Sequence, residues 1–167
     1  MMRTALIVGG LVFALGMTNL QIVQKERLLT SGESMLLQLA PVDPRSLIEG
    51  DYMRLEYAIV REVGTPDGWP RDGQLVVAPD AEGVARFVRR LEPGASPAPG
   101  ERLLQYRIRN GHMQIGTNAF FFQEGHADRY VAARYGELKV DAGGTGLLVG
   151  LRDAARQPLG GEPVGQP

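Results

Sequence analysis

The chain contains no cysteine. This absence excludes disulfide bonds, a thiolate nucleophile and a cysteine-ligated metal, and it allows an oxidising compartment without requiring one. Lysine is almost absent as well, since only Lys25 and Lys139 stand among the 18 lysine and arginine residues. Arginine keeps its proton and cannot replace lysine as an amine base. Chemistry that depends on a neutral lysine is therefore not expected.

The sequence also lacks any long run of one charge. The formal net charge is −1, and without a basic patch nucleic acid is not expected as a partner. His112 and His126 are the only histidines, whereas a zinc site usually needs three protein ligands. The sequence therefore predicts no metal and no cofactor, and it identifies no catalytic residue.

What the sequence does contain is an uncharged segment at residues 4–24. A membrane-spanning helix needs about 20 largely apolar residues, so we expect a single-pass anchor that occupies residues 1–29 and stops at Thr30, Ser31 and Gly32. A short N-terminal flank favours a retained signal-anchor with the N-terminus in the cytoplasm. The alternatives are a signal peptide cleaved near Ala14-Leu15-Gly16 and a buried helix of a soluble protein.

The remainder is predicted to be mainly β, as a small antiparallel barrel or sandwich at residues 30–153 with one short helix at 127–135, followed by a flexible tail at 154–167. Apolar and polar residues alternate along several segments, as in half-buried strands. Asn110-Gly111 favours a two-residue hairpin turn, and the glycine-rich stretch 142–146 is predicted to be the turn of a last hairpin. The predicted strands are 35–39, 52–60, 74–78, 84–91, 103–109, 112–116, 119–122, 137–141 and 147–151.

The octapeptide GDYMRLEY at residues 50–57 fits the pattern G-D-Y-x-x-L-x-Y without a mismatch. It follows APVDPRSL at residues 40–47, and a later FFFQEG occupies residues 120–125. On these segments the chain resembles the GDYXXLXY protein family over most of residues 1–151. The resemblance implies a membrane helix followed by a β-rich domain that accompanies a multi-pass membrane protein, and it implies no particular activity.

Two interpretations of the octapeptide remain open. It is either a turn and core element that fixes strand register, or a recognition surface. On a strand Tyr52 and Tyr57 face opposite ways, because they are an odd number of residues apart, and Asp51 lies in a turn where Arg45 is able to pair with it. The candidate binding residues are Arg45, Asp51, Tyr52, Tyr57 and Glu124. Glu124 follows three phenylalanines, and the alternative interpretation is that it forms an ion pair with an arginine.

The leading functional prediction is a non-enzymatic accessory or binding subunit. It is expected in the cytoplasmic (inner) membrane of a bacterial cell, with the C-terminal domain on the extracytoplasmic, periplasmic side. The alternative is an envelope enzyme, either a hydrolase that uses Asp51, Glu124 and His126 or a signal-peptidase-like fold. In the signal-peptidase-like interpretation, Ser34-Met35 follows the membrane helix as the nucleophile pair would. Arg89 stands where such an enzyme has its lysine base, and a guanidinium group does not accept a proton.

Overall fold

The computed structural model describes residues 2–40, 48–49 and 52–160. Strands make up 39% of the structure and helices 24%, so the protein is mainly β, as predicted. The elements in chain order are α1 (Met2–Ser31), β1 (Glu33–Gln38), β2 (Ile48–Glu49), β3 (Tyr52–Arg54), α2 (Ala58–Val63), β4 (Asp72–Pro79), β5 (Ala85–Arg90), β6 (Arg102–Arg109), β7 (His112–Ile115), β8 (Ala119–Phe121), a 3-10 helix (Ala127–Tyr130), β9 (Tyr135–Val140), β10 (Gly146–Arg152) and β11 (Pro158–Leu159).

Helix α1 is long and apolar, and the protein leaves it uncovered. Its segment Ile7–Ser31 contains an 18-residue window with a mean hydropathy of 1.5, and none of that window is buried. Large apolar side chains such as Leu11, Phe13 and Leu20 are more than half exposed. These are the length and composition of a single membrane span. The helix ends at Ser31, within the predicted stop, and the Gly32 N–H makes its last helical bond, to the Leu28 carbonyl at 2.9 Å.

Two curled half-barrel sheets form the body of the domain. One has the strand order β1-β9-β10-β11 and the other β5-β4-β6-β7, while a short third sheet has the order β2-β3-β8. An isolated bridge from Leu36 to Val84 joins the edges of the two larger sheets. Leucines that are 0–1% exposed come from β1, β4, β6, β9 and β10, so both half-barrels share one core: Leu37, Leu75, Leu104, Leu138 and Leu151.

Both predicted hairpins are present. Asn110 and Gly111 have φ values of 51° and 76°, as a tight two-residue turn between β6 and β7 requires. The glycine-rich turn between β9 and β10 is closed by Asp141, whose Oδ1 accepts the Thr145 N–H at 2.8 Å. Both turns are therefore determined by their own residues. The first has residues that adopt positive φ, and the second has a side chain that accepts a backbone hydrogen bond.

The strand predicted at residues 52–60 was wrong beyond Arg54. The chain continues extended to Tyr57, which forms an isolated bridge with Leu39, and then turns into α2 at Ala58–Val63. Its alternate residues are nevertheless buried as predicted, because Tyr57 is 4% and Ile59 is 2% exposed. Ile59 and Val63 are four residues apart, a helical spacing that overlaps the alternating pattern.

The short helix predicted at residues 127–135 begins at the predicted residue but is shorter, because that region holds only the 3-10 helix Ala127–Tyr130. The flexible tail was predicted at residues 154–167, and the structure describes its first part, to residue 160. Strand β11 pairs with β10 through Leu159 and Leu151, and Arg156 lies 3.2 Å from Glu82. Residues 161–167 lie outside the described residues.

Candidate functional site

The second half of the octapeptide forms one wall of a cleft. Leu55 donates its N–H to the Asn118 carbonyl at 2.8 Å, which continues the pairing of β3 with β8, and three residues later the chain turns into α2. The gap between residues 54–57, α2 and β7 is a cavity of about 300 Å³. The cleft therefore exists because an extended segment turns into a helix instead of continuing along the sheet.

The floor of the cleft is apolar and buried. Leu55, Tyr57, Met113 and Ile115 line it and are 3%, 4%, 8% and 2% exposed. The Tyr57 hydroxyl donates to the Thr117 carbonyl at 3.2 Å. Burial raises the pKa of Tyr57 well above its usual range, because a phenolate would lose its hydration. The hydroxyl thus stays neutral and is a structural donor, not an acid or a base.

The rim of the cleft is polar and mixed in charge. Arg61 lies 3.5 Å from Glu56, and both side chains are more than half exposed, so this ion pair contributes little to stability. Both charges are accessible to a ligand. The polar side chains around the opening are Arg54, Glu56, Arg61, His112, Gln114 and Asn118.

Strand β7 adds a backbone edge to the cleft. It is the last strand of its sheet and pairs only with β6 among the described residues. An edge strand presents unpaired N–H and C=O groups, to which a further extended segment is able to bond. A buried apolar floor, a polar rim and a free strand edge are suited to holding a peptide segment.

The other octapeptide residues lie elsewhere or cannot be placed. Tyr52 is half-buried on β3, and its ring centroid lies 5.6 Å from that of Phe121, which is 75% exposed. This aromatic pair is separate from the cleft, since neither ring lines it. The predicted binding residues Arg45 and Asp51 lie outside the described residues.

Glu124 and His126 are not brought to the cleft. They lie in the turn between β8 and the 3-10 helix, and neither lines the cleft or the two larger cavities of the domain. In the part of the chain that the structure describes, no arginine pairs with Glu124, and no group of three histidine, aspartate or glutamate side chains is placed to hold a metal.

Arg89, which stands at the position of a peptidase base, belongs to a structural ion pair. Its Nη2 donates to Glu101 Oε2 at 2.9 Å, and Nη1 donates to the other carboxylate oxygen. The hydrogen bonds that Arg89 donates to Glu101 raise the pKa of Arg89 further. The geometry thus fixes the proton on the guanidinium.

Sequence reasoning missed the second wall of the cleft. It gave no role in binding to Arg61, His112 or Gln114. No local pattern marks these residues, because they come together only through the sheet order and the turn into α2. The nearest signal in the sequence was the four-residue spacing of Ile59 and Val63, which is typical of a helix and marks where the chain turns into α2.

A protein-family model described as GDYXXLXY protein matches residues 14–151. The match begins within α1 and ends within β10, so it includes the cleft and most of the two half-barrels. No curated protein and no solved structure matches the chain.

Proposed function

The chain belongs to the GDYXXLXY family, and from that premise we propose that it is a membrane-anchored accessory subunit that binds a multi-pass membrane protein. In this proposal α1 is a retained signal-anchor in the cytoplasmic (inner) membrane of a bacterial cell. Its N-terminus is in the cytoplasm and the β domain is periplasmic. The partner contacts the β domain at the cleft beside the octapeptide.

One observation carries the proposal: four of the eight octapeptide positions, residues 54–57, line an open cavity. A segment that served only the core would bury its alternate residues and expose the others to bulk solvent. Here the buried residues Leu55 and Tyr57 form a floor, and the exposed residues Arg54 and Glu56 stand at the rim. The same segment therefore supports the core and shapes a recognition surface.

The cleft suggests how a partner binds. Its volume of about 300 Å³ lies at the lower end of ligand pockets and suits one large side chain better than a small molecule. An extended loop of the partner would pair with the edge of β7 and insert an apolar side chain against Met113 and Ile115. Arg61 and Glu56 would then select partner residues of opposite charge on either side of the inserted side chain.

The envelope enzyme stays a prediction without a supporting observation. Asp51 lies outside the described residues, and Glu124 and His126 line none of the three cavities. The tyrosine in the cleft is neutral and hydrogen-bonded to the backbone. No residue of the floor is therefore arranged as a nucleophile or as a general base.

The test is co-purification of the tagged full-length chain in a mild detergent, followed by mass spectrometry. Arg61→Ala with His112→Ala removes two exposed rim side chains without entering the core. The matched control, Arg129→Ala with His126→Ala, removes the same residue types outside the cleft. We expect a stoichiometric multi-pass partner with the wild type and the control, and its loss from the cleft variant. Equal recovery of such a partner from all three proteins, or from none, contradicts the proposal.

A further inference from the structure

A second and larger cavity lies where α1 meets the β domain. It measures about 920 Å³ and is bounded by the end of the helix, the start of β6 and the turn between β9 and β10. Leu28 from the helix, Leu103 from β6 and Val140 from β9 give it an apolar side. Lys25 and Arg27 stand on the helical wall. We refer to this cavity as the helix groove.

Two of the three acidic side chains of the helix groove are paired with arginines. Glu33 lies 2.8 Å from Arg102, and Glu101 is held by Arg89, with Nη2 donating to Oε2 at 2.9 Å. Asp141 accepts the Thr145 N–H and closes the β9–β10 turn. The charge of Asp141 is therefore the one that no arginine or lysine pairs with among the described lining residues.

Lys25 and Arg27, in contrast, have no acidic partner in the described part of the chain. A neighbouring cavity of about 810 Å³ also touches Lys25 and Thr145, and it adds Arg109, which likewise has no acidic partner among the described residues. The three unpaired cations Lys25, Arg27 and Arg109 outnumber Glu26 and Asp141, the neighbouring carboxylates that pair with no lysine or arginine among the described residues. The uncompensated charge around the junction of helix and domain is therefore positive.

The uncharged segment of α1 determines where the helix groove lies relative to the lipid bilayer. Residues 4–24 carry no charge, and at 1.5 Å per residue they measure about 31 Å, close to the thickness of the hydrocarbon layer. Lys25 directly follows this segment. If α1 spans the bilayer, Lys25 and Arg27 lie at the level of the lipid phosphates, and the helix groove opens there.

We infer that the helix groove binds the headgroup of an anionic phospholipid. Lys25 and Arg27 attract the phosphate, and the glycerol and first acyl carbons lie against Leu28, Leu103 and Val140. Basic residues within the headgroup region attract anionic lipids, and the walls of the groove turn this general attraction into a defined site. The inference rests on the membrane anchoring in the proposed function but not on the partner.

The test is native mass spectrometry of the full-length chain in non-ionic detergent, titrated with phosphatidylglycerol or with phosphatidylcholine of the same acyl chains. Lys25→Gln with Arg27→Gln removes the two cations. The control, Arg71→Gln with Arg129→Gln, removes two exposed cations that do not line the helix groove. We expect one phosphatidylglycerol per wild-type chain and an affinity about thirty-fold lower in the groove variant. The control and wild type should bind alike.

A neutral substitution separates a defined site from diffuse charge attraction. Ala142→Trp fills the helix groove from an exposed turn position, and Ala81→Trp places the same side chain in the exposed turn between β4 and β5. Thermal unfolding of each variant establishes that it folds. Ala142→Trp should lose the lipid and still recover the partner, while Ala81→Trp keeps both.

Three results overturn the inference. The first is normal phosphatidylglycerol binding by Ala142→Trp. The second is an equal loss of phosphatidylglycerol affinity in the groove variant and in the control double variant. The third is full competition by glycerol phosphate, which carries the headgroup chemistry without acyl chains and would identify a soluble anion as the ligand. None of these results bears on the cleft, so the accessory-subunit proposal stands or fails separately.

Discussion

Gly144 lies where the turn between β9 and β10 touches the opposite half-barrel. Its φ is 82°, and its carbonyl accepts the Gln105 N–H at 2.8 Å. The side-chain amides of Gln74 and Gln105 donate to the Gly143 carbonyl at 2.8 and 3.1 Å. A glycine-rich turn that sequence reasoning treated as a simple connection therefore fastens the two sheets together.

Gly144→Ala should be strongly destabilising. A Cβ there would meet the Leu103 carbonyl carbon and the Leu104 nitrogen at 2.9 Å, and the positive φ adds strain. We expect a loss of roughly 3 kcal/mol in the free energy of unfolding. Gly83→Ala is the control, because Gly83 has a φ of 79° but nothing within 4 Å, and it should cost about 1 kcal/mol. Fluorescence of Trp69 during denaturation of the full-length chain measures both, and equal losses would contradict the docking role.

Arg152→Met should also be destabilising, because it leaves a buried carboxylate without its partner. Glu137 is 7% exposed, and Arg152 Nε donates to its Oε2 at 2.8 Å. We expect a loss of about 3 kcal/mol. Arg107→Met breaks the pair with Asp72, in which both side chains are more than half exposed, and it should cost less than about 1 kcal/mol. The same denaturation experiment compares them, and a cost for Arg107→Met as large as that for Arg152→Met would refute this ranking.

At the scale of elements, the loop between β5 and β6 is held by Glu101. Hydrogen bonds from Arg89 and from the Ala98 N–H lower the pKa of the Glu101 carboxyl. A carboxyl whose pKa is lower in the folded than in the unfolded state stabilises the fold above its unfolded pKa, and this contribution is lost as the pH falls through the folded value.

Glu101→Gln should therefore reduce the stability at neutral pH and make it less sensitive to acid. We expect the melting temperature of the wild type to fall more steeply than that of the variant between about pH 5 and pH 3. Asp80 has a similarly lowered pKa and is present in both proteins, so it cancels from the comparison. Parallel pH profiles would show that Glu101 does not anchor the loop.

The elements with a local cause were the predictable ones. The turn at Asn110 and Gly111 is set by residues that tolerate positive φ, and α1 is set by its uncharged length. Helix α2 was missed because Met53, Leu55, Tyr57 and Ile59 keep one alternating buried pattern across a strand, an extended segment and a helix. Burial there is imposed by contacts with Leu39 and Asn118, which are distant in sequence and leave no periodic signal.

The candidate site was predictable only in part. The octapeptide drew attention to Tyr57, which the structure places on the floor of the cleft. Glu124 was chosen because an acid follows three phenylalanines, but Phe120 and Phe122 pack on Tyr130 at 5.0 and 5.3 Å and leave Glu124 in an exposed turn. Residues of the opposite wall come from β7, and only the strand order brings them there.

At the scale of the whole molecule, an exposed apolar helix carries a compact β domain with a cleft and a helix groove. If the helix is a retained signal-anchor, the mature protein keeps residues 1–16. We expect the intact mass of protein purified from membranes to match a chain that includes them. A mature N-terminus at residue 17 would instead identify a cleaved signal peptide and remove the anchor from the account.

The central claim is that the cleft beside the octapeptide is a contact with a multi-pass membrane protein. The most direct measurement places a photo-crosslinking amino acid at Gln114 on the rim, and in a second strain at the exposed Gln157 near β11, followed by irradiation of intact cells. The account predicts a specific adduct between the Gln114 protein and a multi-pass membrane protein, and none from Gln157. The same adducts from both positions, or no adduct from Gln114, would contradict it.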